Sequence, residues 1–154
     1  MKYDCYTLII ENHLKSLPNY PMDFGWGQGY VLLPKNHPFY GKDYDDIDVD
    51  VHGGLTFGCK FESKNFLKWI KNQEIGGDVT RDNFENFEGF WIIGFDTNHS
   101  GDNKFMCPKS YVLREAENLL EQCINNRKYI IKLRKAKLKR IASVMALSSK
   151  QYDA

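Results

Sequence analysis

Apolar positions along the chain fall into short runs and stripes separated by turn-forming clusters. Between Asp4 and Leu17 two patterns overlap. Tyr6, Ile9, Ile10, His13, Leu14 and Leu17 recur at helical spacing behind Asp4 as an N-cap, whereas Tyr6–Ile10 alone reads as a β-rich run. The spacing predicts a helix ended by Pro18. After a loop over 18–29 rich in Pro, Gly and rings, Gly29–Leu33 reads as a buried strand stopped by Pro34. The connection 34–46 is long, as functional loops often are.

From Ile47 the chain alternates, Ile47, Val49 and Val51 against Asp48, Asp50 and His52, which predicts a strand with one open face. Gly53-Gly54 interrupts it and Leu55-Thr56-Phe57 resumes it. Ser63 is placed to cap a short helix with Phe66, Leu67 and Ile70 inside and Trp69 beside them, ended by Gly76-Gly77-Asp78. Phe84 and Phe87 anchor the polar stretch 78–89. Gly89–Phe95 is the most apolar strand and is expected at the centre of the sheet. After a loop over 96–109, Ser110 caps a helix whose inward stripe is Val112, Ala116, Leu119, Leu120, Cys123 and Ile124.

The helical pattern continues through Ile131, Leu138, Ile141 and Met145. One helix over 110–147 would be about 57 Å long, longer than the roughly 40 Å width of such a domain. It must break near Asn125-Asn126 or project. The expected fold is α+β: one small sheet of about three to five strands flanked by helices, with a long C-terminal helix.

A length of 154 residues with 42% hydrophobic and 27% charged positions is that of one globular domain. No apolar run approaches the ~20 residues of a membrane span, and the N-terminus lacks a secretory pattern, so a cytoplasmic protein without a membrane partner is expected. Cys5, Cys59, Cys107 and Cys123 are scattered without a C-x-x-C pair and are expected as reduced thiols. Charge divides the chain. Residues 1–126 hold 12 Lys+Arg and 19 Asp+Glu, whereas 127–154 hold 9 and 1. The expected organisation is an acidic α+β body over 1–126 with a basic helical extension over 127–154.

Two segments concentrate chemistry. In Val51-His52-Gly53-Gly54-Leu55-Thr56-Phe57, paired glycines within a strand point to a bulge, a positive φ or close approach of a ligand or another backbone. His52 and Thr56 would then flank bare amides. Asp96-Thr97-Asn98-His99-Ser100-Gly101-Asp102 follows the apolar strand with two carboxylates and an imidazole, donors suited to a divalent ion. The same residue types are also ordinary turn formers. If His52 lies on a neighbouring strand, Asp96, His99, Asp102 and His52 form a candidate metal set. Gly25-Trp26-Gly27-Gln28-Gly29 has the wrong spacing and context for a dinucleotide loop, and the Asp run over 43–50 lacks the glycine and distal Glu of an EF-hand. Arg127–Arg140 carries eight basic residues and no acid. It is a solvated helix face or a contact for nucleic acid or an acidic protein. Ile124, Ile131 and Leu138 at seven-residue spacing permit a homo-oligomer through that helix, though Arg127 and Arg134 on the seam weaken it.

The strings GYVLLPKNHPFYGKDYDD (29–46), VHGGLTF (51–57) and WIIGFDTNHSGD (91–102) resemble those of a family of small, poorly characterised phage and prophage proteins. The resemblance spans roughly 25–125. It implies an accessory protein acting in a bacterial host's cytoplasm, with His52, Gly53, Gly54, Thr56, Asp96, His99 and Asp102 marking a common site. It implies no particular activity or cofactor. Three functions stay open. The first is binding, or sequestration, of a small polar, nucleotide-like ligand, with Tyr30, Tyr40 and Trp91 stacking a base and His52, the Gly53-Gly54 amides and Thr56 holding phosphate or ribose, as in phage counter-defence proteins that capture signalling nucleotides. The second is metal-dependent hydrolysis by the His/Asp cluster. The third is inhibition of a host protein. The richness in glycine and rings favours the first.

Overall fold

The computed structural model describes residues 4–13 and 24–152. Their strands form one five-stranded sheet in the order β3-β5-β2-β1-β4, with every neighbouring pair antiparallel. The strands are β1 (Tyr6–Glu11), β2 (Gly27–Leu33), β3 (Phe57–Lys60), β4 (Ile75–Gly77) and β5 (Trp91–Phe95). The helices are α1 (Ser63–Trp69), α2 (Lys109–Ile124) and α3 (Arg127–Tyr152), with 3-10 turns at Tyr44–Asp46 and Arg81–Phe87. The α+β class, the strand number and the long C-terminal helix agree with the sequence pattern. No helix among the described residues is long and apolar enough to cross a membrane.

Both faces of the sheet are covered. Ile9, Val31, Leu33, Ile93 and Phe95 pack against Val112, Ala116, Leu119 and Cys123 of α2. Leu8, Ile10, Tyr30, Leu32 and Ile92 pack against Phe66 and Ile70 at α1 and against Phe84 and Phe87. Double coverage explains the first correction. Residues 6–11 are β1, not a helix, because a strand buried on both faces reads as a continuous apolar run, on which helical spacing is accidental. Leu14, Leu17 and Pro18 lie outside the described residues. Central place goes to β2, with β5 beside it.

Other boundaries shift for local reasons. Residues 47–52 alternate in burial as expected, yet form no strand. Side chains of α2 replace a neighbouring strand. The Asp50 N–H donates to Gln122 Oε1 (2.8 Å), its carbonyl accepts from Gln122 Nε2 (2.8 Å) and Asn118 Nδ2 (3.2 Å), and the His52 N–H donates to Glu115 Oε1 (3.1 Å). Helix α1 starts from Glu62, so Ser63 lies within it, and Leu67 and Trp69 face outward at 42% and 57% exposure. Gly76 and Gly77 do not end a helix; they belong to edge strand β4. Helix α2 starts after Pro108, so Ser110 is also inside it.

At Asn125-Asn126 the long helical pattern breaks, and Asn126 Oδ1 accepts the Tyr129 N–H as α3 begins. Tyr129 is fully buried, and α3 then leaves the body: residues 134–148 are all exposed.

The 34–46 connection is fastened from beneath by His37, 2% exposed. Its Nδ1 accepts the Phe39 N–H (3.0 Å), so its Nε2–H donates to the Cys123 carbonyl (3.0 Å). Burial holds this imidazole below its ordinary value of 6.5, outweighing the Cys123 hydrogen bond, with Lys132 adding to the lowering. Below pH 6.5 the unfolded chain takes up a proton that the folded chain refuses, so stability declines from there down to the folded pKa. In thermal melts the midpoint falls as pH is lowered from about 7 to 5.5. His37→Gln flattens that slope and costs about 1–3 kcal/mol by orphaning a buried partner.

Candidate functional site

The site begins with a turn. The Gly54 N–H donates to the Val51 carbonyl (2.9 Å), and Gly53 at the third position takes φ +67°, the requirement of a type II turn. A side chain at Gly53 would also overlap the His99 imidazole, its Cβ falling 2.7 Å from Cδ2 and nearer still to Nε2. Gly54 has φ +78° with nothing within 4 Å of such a Cβ. The first glycine is thus needed for two reasons and the second for one.

This turn delivers His52 to the loop after β5. His52 Nε2 lies 2.9 Å from Asp102 Oδ1, and His52 Nδ1 lies 2.8 Å from the Tyr111 hydroxyl at the start of α2. Burial pushes the Asp102 carboxyl up, but hydrogen bonds from His52 and the His99 backbone, with the two nearby imidazoles, bring it below its ordinary 3.8. An ionised carboxylate only accepts, so Nε2 carries the proton and Nδ1 of the neutral ring accepts from Tyr111. Burial, with Glu115 next, raises the Tyr111 hydroxyl and keeps it protonated for that bond.

Asp102 closes its own loop. Its Oδ2 accepts the His99 N–H (2.9 Å) and its N–H donates to the His99 carbonyl (3.0 Å). Cys107 Sγ approaches Oδ1 at 3.8 Å, and burial followed by Asp102 raises that thiol. Asp96 does comparable work: Oδ1 accepts the Asn98 N–H (3.0 Å) and Oδ2 accepts the Thr56 hydroxyl (3.0 Å). His99 Nε2 stands 3.1 Å from Asp96 Oδ1, within ion-pair reach. Its direction is poor for a hydrogen bond, and the buried Nε2 has no such partner among the described residues.

The imidazoles of His52 and His99 have centroids 5.9 Å apart. His52, Gly53, Thr56, Asp96, His99 and Asp102 thus gather at one end of the sheet, and Gly54 sits at the turn's open edge. They divide into two units. His52, Asp102 and Cys107 place ligating atoms within 4.8 Å of one another. Asp96 pairs instead with His99 and Thr56, so the four-residue metal set expected from sequence does not form as one cluster. Cys107 was absent from that set because a lone thiol has no spacing signal. Its place five residues after Asp102 in the same loop was the only cue.

On the α1 face beside Thr56 and Asp96 opens a cavity of about 420 Å³. Tyr30, Phe57, Trp69 and Ile70 line it with apolar surface, and Asn12, His13, Gln28, Gln73, Thr56, Asp96 and Asn98 supply polar groups. Gly94 leaves the space for the Tyr30 ring, since a Cβ there would stand 2.7 Å from Cε1. Asn12 is the organiser: its Nδ2 donates to Asn98 Oδ1 (2.8 Å) and to the Gly25 carbonyl (2.7 Å), and Gln28 donates to its Oδ1. The amides Asn12, Gln28 and Asn98 and the ring of Trp69 were missed from sequence, because they come from four separate segments.

Two expectations fail here. Trp91 and Tyr40 pair with each other at 5.7 Å, with the Tyr40 hydroxyl on the Gly89 carbonyl. They stand at the far end of β5, about 16 Å from Asp96 at ~3.3 Å per residue, so they do not join the cavity. The Gly54 amide is consumed by the turn and Gly53 is covered by His99, so these glycines offer no cradle for phosphate. Comparison with protein-family models, curated proteins and solved structures finds no match to this chain.

The two glycines give a graded test in chemical denaturation. Gly54→Ala costs about 1–2 kcal/mol, the strain of a left-handed residue. Gly53→Ala adds an overlap worth roughly 1–3 kcal/mol more, and it alone shifts the His99 ring resonances in NMR spectra.

Proposed function

We propose that this protein binds a small polar ligand carrying a planar, base-like ring and hydroxyl or amide groups, as a nucleoside does. The observation that supports this reading is the cavity beside Thr56 and Asp96: about 420 Å³, within the range of small-molecule sites. Its rings offer stacking and apolar area. Its amides, hydroxyl and carboxylate offer a directional pattern of donors and acceptors. The Tyr30 hydroxyl has no hydrogen-bond partner among the described residues and is free to meet a ligand. Burial, with Asp96 and Cys59 adding, raises its pKa, so it is a donor throughout the ordinary pH range.

Among the described residues the lining contains no Lys or Arg; its ionisable side chains are Asp96, His13 and Tyr30. The Asp96 carboxylate opposes an anionic phosphate beside it, so a nucleotide would seat its nucleoside part there with phosphates turned away from Asp96. The resemblance to phage and prophage proteins gives a setting for this reading, capture of a host small molecule in a bacterial cytoplasm.

A thermal-shift screen of nucleobases, nucleosides, nucleotides and cyclic nucleotides tests the proposal. A ligand at a hundred times its Kd adds about 2.7 kcal/mol, a rise of roughly 5–10 °C for a chain of this size. Thr56→Val and Asp96→Asn each reduce the shift, and Trp69→Ala removes most of it. Silence across the panel, or a shift that survives all three substitutions, contradicts the proposal and leaves protein binding ahead.

A further inference from the structure

Beyond the ligand cavity, we infer that His52, Asp102 and Cys107 form a binding site for a borderline-soft divalent cation of the zinc class. The three residues come from the turn at 51–54 and from one loop after β5, and their ligating atoms lie within 4.8 Å of one another. His52 Nε2 is 2.9 Å from Asp102 Oδ1, and Cys107 Sγ is 3.8 Å from the same oxygen. Atoms bonded to a tetrahedral zinc at about 2.0–2.3 Å stand roughly 3.3–3.7 Å apart. One spacing is a little short and the other a little long, and His52 Nε2 and Cys107 Sγ lie within 4.8 Å, so the three side chains must close somewhat on an ion to reach bonding positions.

Ligand chemistry selects the ion. Imidazole, carboxylate and thiolate together suit zinc, and the sulfur disfavours magnesium and calcium. Charge balance favours it too: a carboxylate and a thiolate neutralise a divalent ion where Cys107 is 2% exposed and the Asp102 side chain 10%. The surrounding groups already orient the ligands. The Tyr111 hydroxyl holds His52 Nδ1 at 2.8 Å, and the His99 N–H holds Asp102 Oδ2 at 2.9 Å. Such outer partners are a regular feature of metal sites.

Binding proceeds with a defined proton count. Cys107 releases its thiol proton to solvent as the S–metal bond forms. The His52 proton leaves Nε2, which becomes the ligand, and one proton resides on Nδ1, where the Tyr111 oxygen accepts it. Three protein ligands leave a fourth position for water, the arrangement of sites that activate water rather than closed structural ones.

The test uses the full chain with Zn²⁺ alone and Co²⁺ alone. Equilibrium dialysis with metal analysis should give one zinc per chain, and cobalt should produce the charge-transfer absorption of a thiolate ligand. Cys107→Ser should abolish that absorption and weaken zinc binding by ten-fold or more. Tyr111→Phe, which removes only the orienting hydroxyl, should keep the absorption and lower affinity about 10- to 100-fold, so it carries the test if Cys107→Ser fails to fold. His99→Ala should retain stoichiometric zinc, because only the backbone of His99 touches Asp102. Substoichiometric zinc, thiolate absorption surviving in Cys107→Ser, unchanged affinity in Tyr111→Phe, or loss of zinc in His99→Ala would each overturn the assignment. Asp96→Asn and Trp69→Ala leave zinc binding intact, which separates failure of this site from failure of the cavity.

Discussion

One carboxylate holds this end of the molecule together. Asp102 accepts from the His52 ring and from the His99 N–H and is approached by the Cys107 thiol, while its own N–H closes the loop on the His99 carbonyl. The 51–54 turn has no strand partner; Val51 anchors it in the core. Through Asp102 it is joined to the loop after β5, and through Tyr111 and Glu115 to α2. Hydrogen bonds to a charged group are worth about 1.5–3 kcal/mol, against roughly 1 for neutral ones. A shielded carboxylate with three partners is thus a strong local constraint.

That constraint organises two neighbouring chemistries. With the His52 turn fixed, Gly53 offers a flat surface on which His99 rests, and His99 in turn faces Asp96. Asp96 then fixes Thr56, and both look into the cavity on the other side of the sheet. The path from Cys107 to the cavity mouth is continuous: thiol, carboxylate, imidazole, glycine turn, second imidazole, second carboxylate. Away from this corner the molecule changes character. Residues 134–148 of α3 are exposed on every side, with Leu138, Ile141 and Met145 among the uncovered apolar groups, and the positive charge of the chain is concentrated there.

Much of this was legible in the sequence, for physical reasons that also mark where it stopped. The paired glycines announced positive φ, which both adopt; what closes on Gly53 is the His99 side chain and not a ligand or another backbone. The two histidine segments lie side by side, although His52 sits on no strand. Alternation at 47–52 reported burial faithfully, because burial depends only on which way side chains point. It misreported pairing, because α2 amides can satisfy an extended backbone as well as a strand can. Residues 6–11 deceived for the opposite reason: coverage on both faces erased the alternation that identifies a strand. The caps Glu62 and Pro108 were missed since the nearby serines are better caps by type, yet neither serine occupies the cap position. Cavity residues such as Asn12, Gln28 and Trp69 were invisible because only the sheet register and α1 bring them together.

Asp102 holds His52 in a single tautomer, and that state is directly observable. A long-range proton–nitrogen correlation spectrum of the histidine side chains, recorded on metal-free protein at neutral pH, reads the protonation of each ring nitrogen. The account predicts that His52 carries its proton on Nε2, protected from rapid exchange, with Nδ1 unprotonated as the acceptor for Tyr111. Ring nitrogens averaged between both tautomers, as in a solvent-exposed imidazole, or a proton fixed on Nδ1, would contradict it.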